Sequence, residues 1–424
     1  MSWYNKVPFI LWTGGVEKTP ARWGNSPLTK ASLPASGSWL NRTTIGVGLT
    51  SLFSDWSHEI ATAILPAFLA SVGAGPAWLG MIEGIADGLS SVVKLAAGHF
   101  TDALRRRKPL VLIGYVITTA CTGALALATS AIHVLVARSA AWLGRGVRTP
   151  GRKAILAAAV PPAAYGRAFG FERLMDTTGA IVGPLSALWL LQHYHHNYSR
   201  VFLWTLLPGL GAVLCFALLV KERAMASSLR LPFWTGLRAL PAPFRRFLVA
   251  VGIFGLGDFA HTLLILYATR ALAPERGMAT AARLAIGLYV LHNIFYAAFA
   301  YLAGWLGDHR PRHRVLAAGY GLAGVMALLL VIGQTTLPML GLVFVLAGIS
   351  VGAEEALEDS MAAELVPRAQ HGMAFGTLAA VNAAGDFGSS LLVGFLWSAF
   401  SAPVAFAVAG ILFIAGAILI LRLR

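Results

Sequence analysis

One short pattern occurs twice in this chain, each time between two long apolar stretches. Residues 98–108 and residues 304–314 both begin with glycine, carry an aspartate four residues later (Asp102 and Asp308) and end in a cluster of basic residues. The glycine, the aspartate and the last basic residue are each 206 positions from their counterparts. A separation that holds at several residues predicts an internal duplication, so the fold should consist of two similar halves.

Further matches extend this duplication beyond the loop. Residues 166–170 recur as residues 372–376, again 206 positions apart. Near the start of each half, an aspartate is followed three residues later by a histidine, beginning at Asp55 and at Asp258. This pair is 203 positions apart, so a short insertion or deletion separates the two halves here.

The composition excludes a soluble globular protein. Of 424 residues, 57% are hydrophobic and 12% are charged, whereas soluble proteins have about 25% charged residues. The mean hydropathy is +0.70. The formal net charge is +15, but the basic residues are concentrated between apolar stretches, which is typical of membrane-orientation signals rather than of a nucleic-acid-binding surface. Both cysteines lie inside apolar stretches and indicate no disulfide framework.

Twelve stretches, each near the roughly 20 residues that cross a bilayer, predict twelve transmembrane helices. They cover 43–70, 77–99, 109–130, 132–157, 170–191, 201–220, 247–272, 284–304, 315–333, 337–362, 373–398 and 403–421. A cytosolic tail (1–42), a first half (43–220), a cytosolic linker (221–246) with an amphipathic piece at 233–240, and a second half (247–424) are expected. With both termini cytosolic, 22 of the 33 Lys and Arg face the cytosol and four face the opposite side, which predicts this orientation.

The duplicated loop and a glycine motif in span 5 resemble the major facilitator superfamily (MFS). The loops after spans 2 and 8 resemble its conformational loop motif at Gly98, Asp102, Arg105, Arg106, Gly304, Asp308 and Arg310. In span 5, Gly179, Gly183 and Pro184 resemble the Gly-x-x-x-Gly-Pro signature of the family's proton-coupled exporters. The sequence departs from these patterns where two residues intervene between Asp102 and Arg105, and where Ser186 and Ala187 replace the glycine pair that usually closes the signature.

The resemblance implies an all-α integral membrane fold of twelve helices in two pseudo-symmetric six-helix bundles, with both termini cytosolic (N-in/C-in). It also implies a secondary active transporter that works by alternating access around a central cavity. No Walker motif is present, so ATP is not the expected energy source. The expected partners are a small-molecule substrate, protons and the lipid bilayer, without nucleic acid, cofactor, resident metal or enzyme activity. A monomer in the bacterial inner (plasma) membrane is expected.

Ionisable residues inside the spans carry the site predictions, because a charge at membrane depth costs at least about 2.5–3.5 kcal/mol and is usually paired or functional. We count seven bases and twelve acids in the spans, so five acids need a proton, water or another cation. Asp55, Glu59 and Asp87 are expected near the middle of the membrane and are predicted to carry the coupling proton. The residues predicted to line the substrate cavity are His58, Glu83, Arg145, Asp258 and His261.

Opposite charges in spans 4 and 10 predict a cytosolic gate, because the duplication places these two spans symmetrically. The basic residues of span 4 are Arg148, Arg152 and Lys153, and the acidic residues of span 10 are Glu354, Glu358 and Asp359. Pairs such as Arg152 with Glu358 would form when the inner side closes and would become hydrated when it opens. Pairing within one half is the alternative.

The leading functional prediction is proton-coupled efflux of a small solute. Uptake or export of a metal ion or metal chelate is an alternative, because His58 and His261 each follow an aspartate by three residues and histidine with carboxylate suits a divalent cation. A non-transporting membrane sensor is the alternative from a different class.

Overall fold

The computed structural model describes residues 38–74, 76–195, 197–222, 232–333 and 336–423. All regular structure in these ranges is helical. The predicted tail lies outside the described residues apart from 38–42, and the predicted linker is described only at 221–222 and 232–246.

The described residues of the first half form seven α-helices. They are α1 (Arg42–Ser71), α2 (Pro76–Ala103), α3 (Lys108–Ala124), α4 (Ala131–Ala159), α5 (Tyr165–His193), α6 (Tyr198–Trp204) and α7 (Leu206–Leu219). A short helix in the linker region, α8 (Phe233–Arg238), follows them. The second half contains α9 (Ala242–Gly255), α10 (His261–Arg276), α11 (Met278–His309), α12 (Arg312–Ile332), α13 (Leu337–Leu365), α14 (His371–Ala399) and α15 (Ala402–Leu421).

Local sequence signals explain where several helices begin and end. The side chain of Asn41 accepts hydrogen bonds from the first backbone N–H groups of α1 at 2.9 and 3.0 Å. Ser130 and Ser401 occupy the same N-cap position before α4 and α15. After α12, Gly333 has φ of 74°, a left-handed conformation that glycine adopts without strain and that commonly ends a helix.

Two of the predicted spans are interrupted. The stretch predicted as 201–220 divides into α6 and α7 at Thr205, and the stretch predicted as 247–272 divides into α9 and α10, with residues 256–260 between them outside any helix. At the second interruption, Gly255 lies against Gly385 of α14, and Gly257 lies against a backbone carbonyl of α15. Glycine has low helix propensity and permits close approach of neighbouring backbones, so interrupting the helix at this position costs little free energy.

Eight described helical segments are long and apolar enough to cross a membrane. The helices α9 and α10 fall short of that length individually, with 14 and 16 residues, while α2 and α4 contain several charged residues. The all-helical membrane character is therefore established, and the count of twelve spans stays a prediction.

The same helix pairings recur in the two halves. In the first half α2 and α3 both pack against α4, and in the second half α11 and α12 both pack against α13. Likewise α1 packs against α5 and α7, as α9 packs against α14 and α15. The interface between the halves repeats as well, because α5 packs against α11 and α14 packs against α2. This arrangement is what a structural duplication produces.

We call the end of the bundle that holds the connections 104–107, 160–164, 310–311 and 366–370 the motif end, and the opposite end the far end. At the motif end, glycines of the two halves meet without intervening side chains. A Cβ atom built on Gly304 would lie 2.7 Å from the carbonyl carbon of Gly166, and one built on Gly98 would lie 3.0 Å from that of Gly372. Both contacts join one half to the other.

A prediction follows for α11, which carries one crowded and one uncrowded glycine. Gly304→Val should lower the midpoint of thermal unfolding, because the new side chain would overlap the α5 backbone and overpacking costs about 1–3 kcal/mol. Gly287→Val is the matched control, since nothing lies within 4 Å of a Cβ built at Gly287. Thermal unfolding of the purified proteins in detergent measures both, and equal midpoints would contradict the packing described.

Candidate functional site

At the motif end, the carboxylate of Asp102 binds the start of a helix from the other half. It accepts hydrogen bonds from the backbone N–H groups of Gly372 and Met373, at 2.8 and 2.7 Å. These are the second and third residues of α14. The guanidinium of Arg107 lies 3.2 Å from the same carboxylate. A carboxylate at a helix N-terminus is stabilised by free N–H groups and by the helix dipole, so this contact attaches α2 to α14.

The second copy of the loop makes the equivalent contact in the opposite direction. Asp308 accepts hydrogen bonds from the backbone N–H groups of Gly166 and Arg167, at 2.8 and 3.0 Å, near the start of α5. Its carboxylate also pairs with the side chains of Arg167 and Arg312, each at 2.9 Å. We refer to the Asp102 and Asp308 contacts as the two clasps.

Three of the predicted loop residues take no part in the clasps. Arg105, Arg106 and Arg310 are exposed. The arginines that pair with the aspartates are Arg107 and Arg312, which follow them by five and four residues. The sequence shows the basic cluster but not its geometry, which depends on where α2 ends and α12 begins.

Two ion pairs join the halves deeper in the bundle. The Lys153 ammonium of α4 lies 2.6 Å from the Asp359 carboxylate of α13. The Arg173 guanidinium of α5 lies 2.8 Å from the Glu355 carboxylate of α13 and 3.1 Å from Asp176 of its own helix. Of the predicted gate residues, the structure therefore brings Lys153 and Asp359 together across the interface.

The other predicted gate residues bind partners within their own halves. Arg152 pairs with Glu172 at 2.8 Å and also donates to Ser51. Glu358 accepts hydrogen bonds from Tyr320 and, at 2.8 Å, from the Asn382 side chain. Arg152 and Glu358 do not pair, so for these two residues the alternative of pairing within one half describes the structure.

Arg148 and Glu354 also make no contact with each other. Arg148 is 3% exposed, and its guanidinium lies 4.0 Å above the ring of Tyr115, a cation–π arrangement. Glu354 is 8% exposed and lines a cavity within the second half.

A separate charge network lies within the first half. Asp55 of α1 pairs with Arg145 of α4 at 3.0 Å. About two turns earlier on α4, Arg138 pairs with Glu83 of α2 at 3.2 Å and lies 3.4 Å from a ring nitrogen of His58. Three of the residues predicted to line the substrate cavity (His58, Glu83 and Arg145) thus belong to this network.

The three residues predicted to carry the coupling proton differ in their surroundings. The side chain of Asp55 is 10% exposed and paired. The side chain of Glu59 is 27% exposed and lies 4.0 Å from the His58 ring, while Asp87 is exposed on α2. Electrostatic interaction links Glu59 to Asp55 and Asp87 to Lys94, but the three carboxyls do not form one hydrogen-bonded cluster in the described structure.

The glycine motif of α5 packs against α1 beside Asp55 and Glu59. A Cβ built on Gly179 would lie 2.9 Å from the backbone nitrogen of Trp56 and 3.2 Å from the Cβ of Asp55. Gly183 lies against Glu59 in the same way. The helix continues through Pro184. The small residues therefore let α5 approach α1 at the two acidic residues, as close helix packing in membranes requires.

In the second half, Asp258 lies within the interruption between α9 and α10, and His261 is the first residue of α10. The ring of His261 lies 4.6 Å from the ring of His292 and 6.2 Å from that of Tyr289, both of α11. Among the described residues, no group of three or more His, Cys, Asp or Glu is arranged to hold a metal ion.

A family model for the Major Facilitator Superfamily matches residues 47–269 and 247–424. The chain belongs to this superfamily. It is 30% identical over 366 residues to an uncharacterised MFS-type transporter of Methanocaldococcus jannaschii, which covers 84% of this chain and 89% of that protein. It is also 26% identical over 196 residues to the multidrug resistance protein MdtH of Photorhabdus laumondii, a match that covers 45% of this chain and 47% of that protein.

Solved structures show the same fold. The E. coli MFS transporter FucP, determined in the outward conformation, superimposes with a TM-score of 0.73 at 17% identity and covers 90% of this MFS chain and 98% of FucP. The resemblance read from the loop and glycine motifs is therefore confirmed. The chain is an integral membrane protein of a transporter superfamily.

Sequence reasoning missed several residues that join the halves, among them Arg173, Glu355 and Arg312. Arg173 pairs with Glu355, and Arg312 donates to the backbone oxygen of Pro162 at 2.6 Å. The duplication could have pointed to such residues, because it makes spans 5 and 11 equivalent and both of these spans face the opposite half. However, Glu355 has neighbours of the same charge at 354 and 358, and sequence alone does not show which of them faces α5.

A charge-swap cycle tests the pairing across the interface. Lys153→Asp and Asp359→Lys should each lower the thermal unfolding midpoint, and the double variant should recover part of the loss, because the side chains are 12% and 5% exposed. A coupling free energy of about 1–3 kcal/mol is expected for residues in contact. The measurement is a double-mutant cycle on the purified protein.

Arg152→Glu with Glu358→Arg is the matched control for this cycle. These residues lie one position away on the same two helices but pair within their own halves, so their double variant should recover nothing. Equal coupling in the two cycles, or none between positions 153 and 359, would contradict the assignment.

Proposed function

We propose that this MFS protein exports a small solute in exchange for protons, by alternating access. The observation that carries the proposal is where the halves are joined. Within the described residues, the inter-half ion pairs and hydrogen bonds lie at the motif end or between it and mid-bundle. They include the two clasps, Arg312–Pro162, Lys153–Asp359 and Arg173–Glu355. Two halves that are bonded to each other at one end of the bundle can separate at the other end.

The charge distribution supports a cytosolic motif end. The basic loop segments 105–108 and 310–314 are both at this end, and Lys and Arg are retained on the cytosolic side of membrane proteins. We therefore propose an N-in/C-in protein with twelve spans, in which α6 with α7 and α9 with α10 each form one interrupted span. The conformation described is then closed to the cytosol and open outward, in the bacterial inner membrane, as a monomer.

Switching to the inward state requires the contacts at the motif end to break. The clasps are charge-assisted hydrogen bonds, which are stronger than neutral ones. Once the end opens, water replaces the lost partners, so each contact changes the equilibrium by a few kcal/mol at most. Contacts with free energies this small allow the protein to populate two states, and a ligand can shift the populations of these states.

Proton coupling is proposed to act through Asp55, with Glu59 and Asp87 as neighbouring carboxyls. In the described state the Asp55 carboxyl lies 3.0 Å from the Arg145 guanidinium. A proton on Asp55 would remove the attraction between α1 and α4 and would release Arg145 toward the cavity. Bound substrate and bound proton then exclude each other at the same residues, so substrate entry is coupled to proton release.

Two observations support export of an organic solute. The α5 glycine motif, which resembles that of proton-coupled exporters, lies directly against Asp55 and Glu59. One of the relatives that match this chain over about half its length is a multidrug resistance protein. We propose that His58, Glu83, Arg145, Asp258 and His261 face the solute path. For a metal substrate the described structure offers no support, because His58 adjoins the cationic Arg138.

Transport in proteoliposomes tests the proton step. With an imposed pH gradient, the wild-type protein should move ethidium, a fluorescent organic cation, against its concentration gradient. Asp55→Asn should abolish this pH-driven movement but retain exchange of ethidium across the membrane at equal pH, because the variant can still change state. Glu275→Gln, which neutralises an exposed acid at the far end of α10, is the control and should transport like the wild type.

Two results would count against the proposal. Undiminished pH-driven transport by Asp55→Asn would remove Asp55 from the coupling step. Failure of the folded wild-type protein to move ethidium or any of a panel of organic cations and anions would favour the non-transporting sensor instead.

A further inference from the structure

The interruption between α9 and α10 is a built feature of the second half. The Ser389 hydroxyl of α14 donates a hydrogen bond of 2.6 Å to the backbone oxygen of Asp258. Gly255 packs against Gly385, and Gly257 packs against the carbonyl of Ala409. The unwound segment is thus held by two neighbouring helices. Interrupted membrane helices commonly bind ions, because their backbone groups and side chains are not consumed by helical hydrogen bonds.

A small cavity adjoins this segment. Its volume is about 20 Å³, enough for one water-sized occupant and too small for an organic solute. Its polar lining consists of Asp258, His261, Ser350 and Glu354, and the remaining walls are apolar. The Ser350 hydroxyl donates to the Ala347 carbonyl at 2.9 Å, which leaves its lone pairs available to a ligand.

Glu354 is buried against this cavity without a protein partner. It is 8% exposed, and within the described residues neither its carboxylate nor that of Asp258 accepts a hydrogen bond or pairs with a base. By contrast, its neighbours on α13 are satisfied: Glu355 by Arg173, Glu358 by Tyr320 and Asn382. A buried carboxylate without a partner is strongly unfavourable, so Glu354 favours the binding of a positive charge.

The charged groups around Asp258 and Glu354 make a bound cation still more favourable. The titratable groups that face this pair are His261, Tyr320, Glu355, Glu358 and Asp386. Three of the five are acids. In the described structure no Lys or Arg contacts either carboxylate, and Lys94 interacts with Asp386 rather than with the pair. Two adjacent anions at membrane depth are unfavourable unless a positive ion lies between them.

We propose that Asp258 and Glu354 form a binding site for one monovalent inorganic cation, a proton or Na⁺, in the cavity beside the α9–α10 interruption. The carboxylates supply the charge and the Ser350 hydroxyl supplies a further oxygen. The site is distinct from the Asp55 network, which belongs to the first half and contains its own bases.

The position of Glu354 connects this site to the interface. Glu355, the next residue, pairs with Arg173 of the first half, and Asp359, one turn later, pairs with Lys153. Occupancy of the cavity therefore acts on the same stretch of α13 that holds the halves together. The cation site rests on the second half's own geometry, and its existence does not depend on the direction of transport or on Asp55.

Thermal unfolding of the purified full-length protein in detergent tests the site. One arm replaces choline chloride with NaCl at constant ionic strength and pH 8.5. The other lowers the pH from 8.5 to 6 in choline chloride. A ligand that binds the folded state stabilises it, so one arm should raise the wild-type midpoint by about 2 °C or more. A higher midpoint in NaCl would identify Na⁺ as the ligand, and a higher midpoint at pH 6 would identify a proton.

The variants assign the response to the cavity. Asp258→Asn and Glu354→Gln should each remove that response, and they should tolerate the absence of cation better than the wild type, since each deletes a repelling charge. Glu275→Gln is the matched control and should respond like the wild type. Asp55→Asn should keep a response to Na⁺, which separates this site from the proposed coupling step. In the pH arm the comparison is with Glu275→Gln, because Asp55 is itself proposed to bind a proton.

Two outcomes would overturn the proposal. One is a wild-type midpoint that changes in neither arm. The other is a response that persists in both Asp258→Asn and Glu354→Gln with the size seen in Glu275→Gln.

Discussion

The structure depends on an aspartate placed at the N-terminus of a helix from the other half. Asp102 and Asp308 each satisfy two backbone N–H groups that a helix start otherwise leaves without partners. Their charge also opposes the positive end of the helix dipole. The contact works because glycines at the same crossings let the backbones meet. Duplication then provides it twice, so both sides of the interface are fastened by the same chemistry.

The two halves use charge differently. In the first half, arginines of α4 pair with acids of α1, α2 and α5. In the second half, Glu358 of α13 is satisfied by hydroxyl and amide groups, while Glu355 and Asp359 pair with bases that reach across from α5 and α4. The two deeper ion pairs between the halves therefore join bases of the first half to acids of the second half. The clasps, by contrast, take one aspartate from each half.

Much of this was predictable from the sequence, for identifiable reasons. The repeated spacing of Gly98 and Asp102 with Gly304 and Asp308 predicted two halves, and hydropathy predicted helices in a membrane. Side-chain pairing was not predictable to the same extent. Arg152 and Lys153 are adjacent in sequence, yet one binds within its half and the other across the interface. Successive side chains of a helix are rotated by about 100°, so Arg152 and Lys153 lie on different faces of α4. The sequence does not show which neighbouring helix each face contacts.

The most direct test of the clasps is a distance measurement across the motif end. Spin labels on cysteines introduced at Ala163 and Ala369, both exposed and in opposite halves, would report the separation by pulsed electron paramagnetic resonance, with the native cysteines replaced by serine. If the clasps hold this end closed, the combined Asp102→Asn and Asp308→Asn variant should shift the population toward longer distances. A distance distribution identical to that of the unaltered loops would contradict the account.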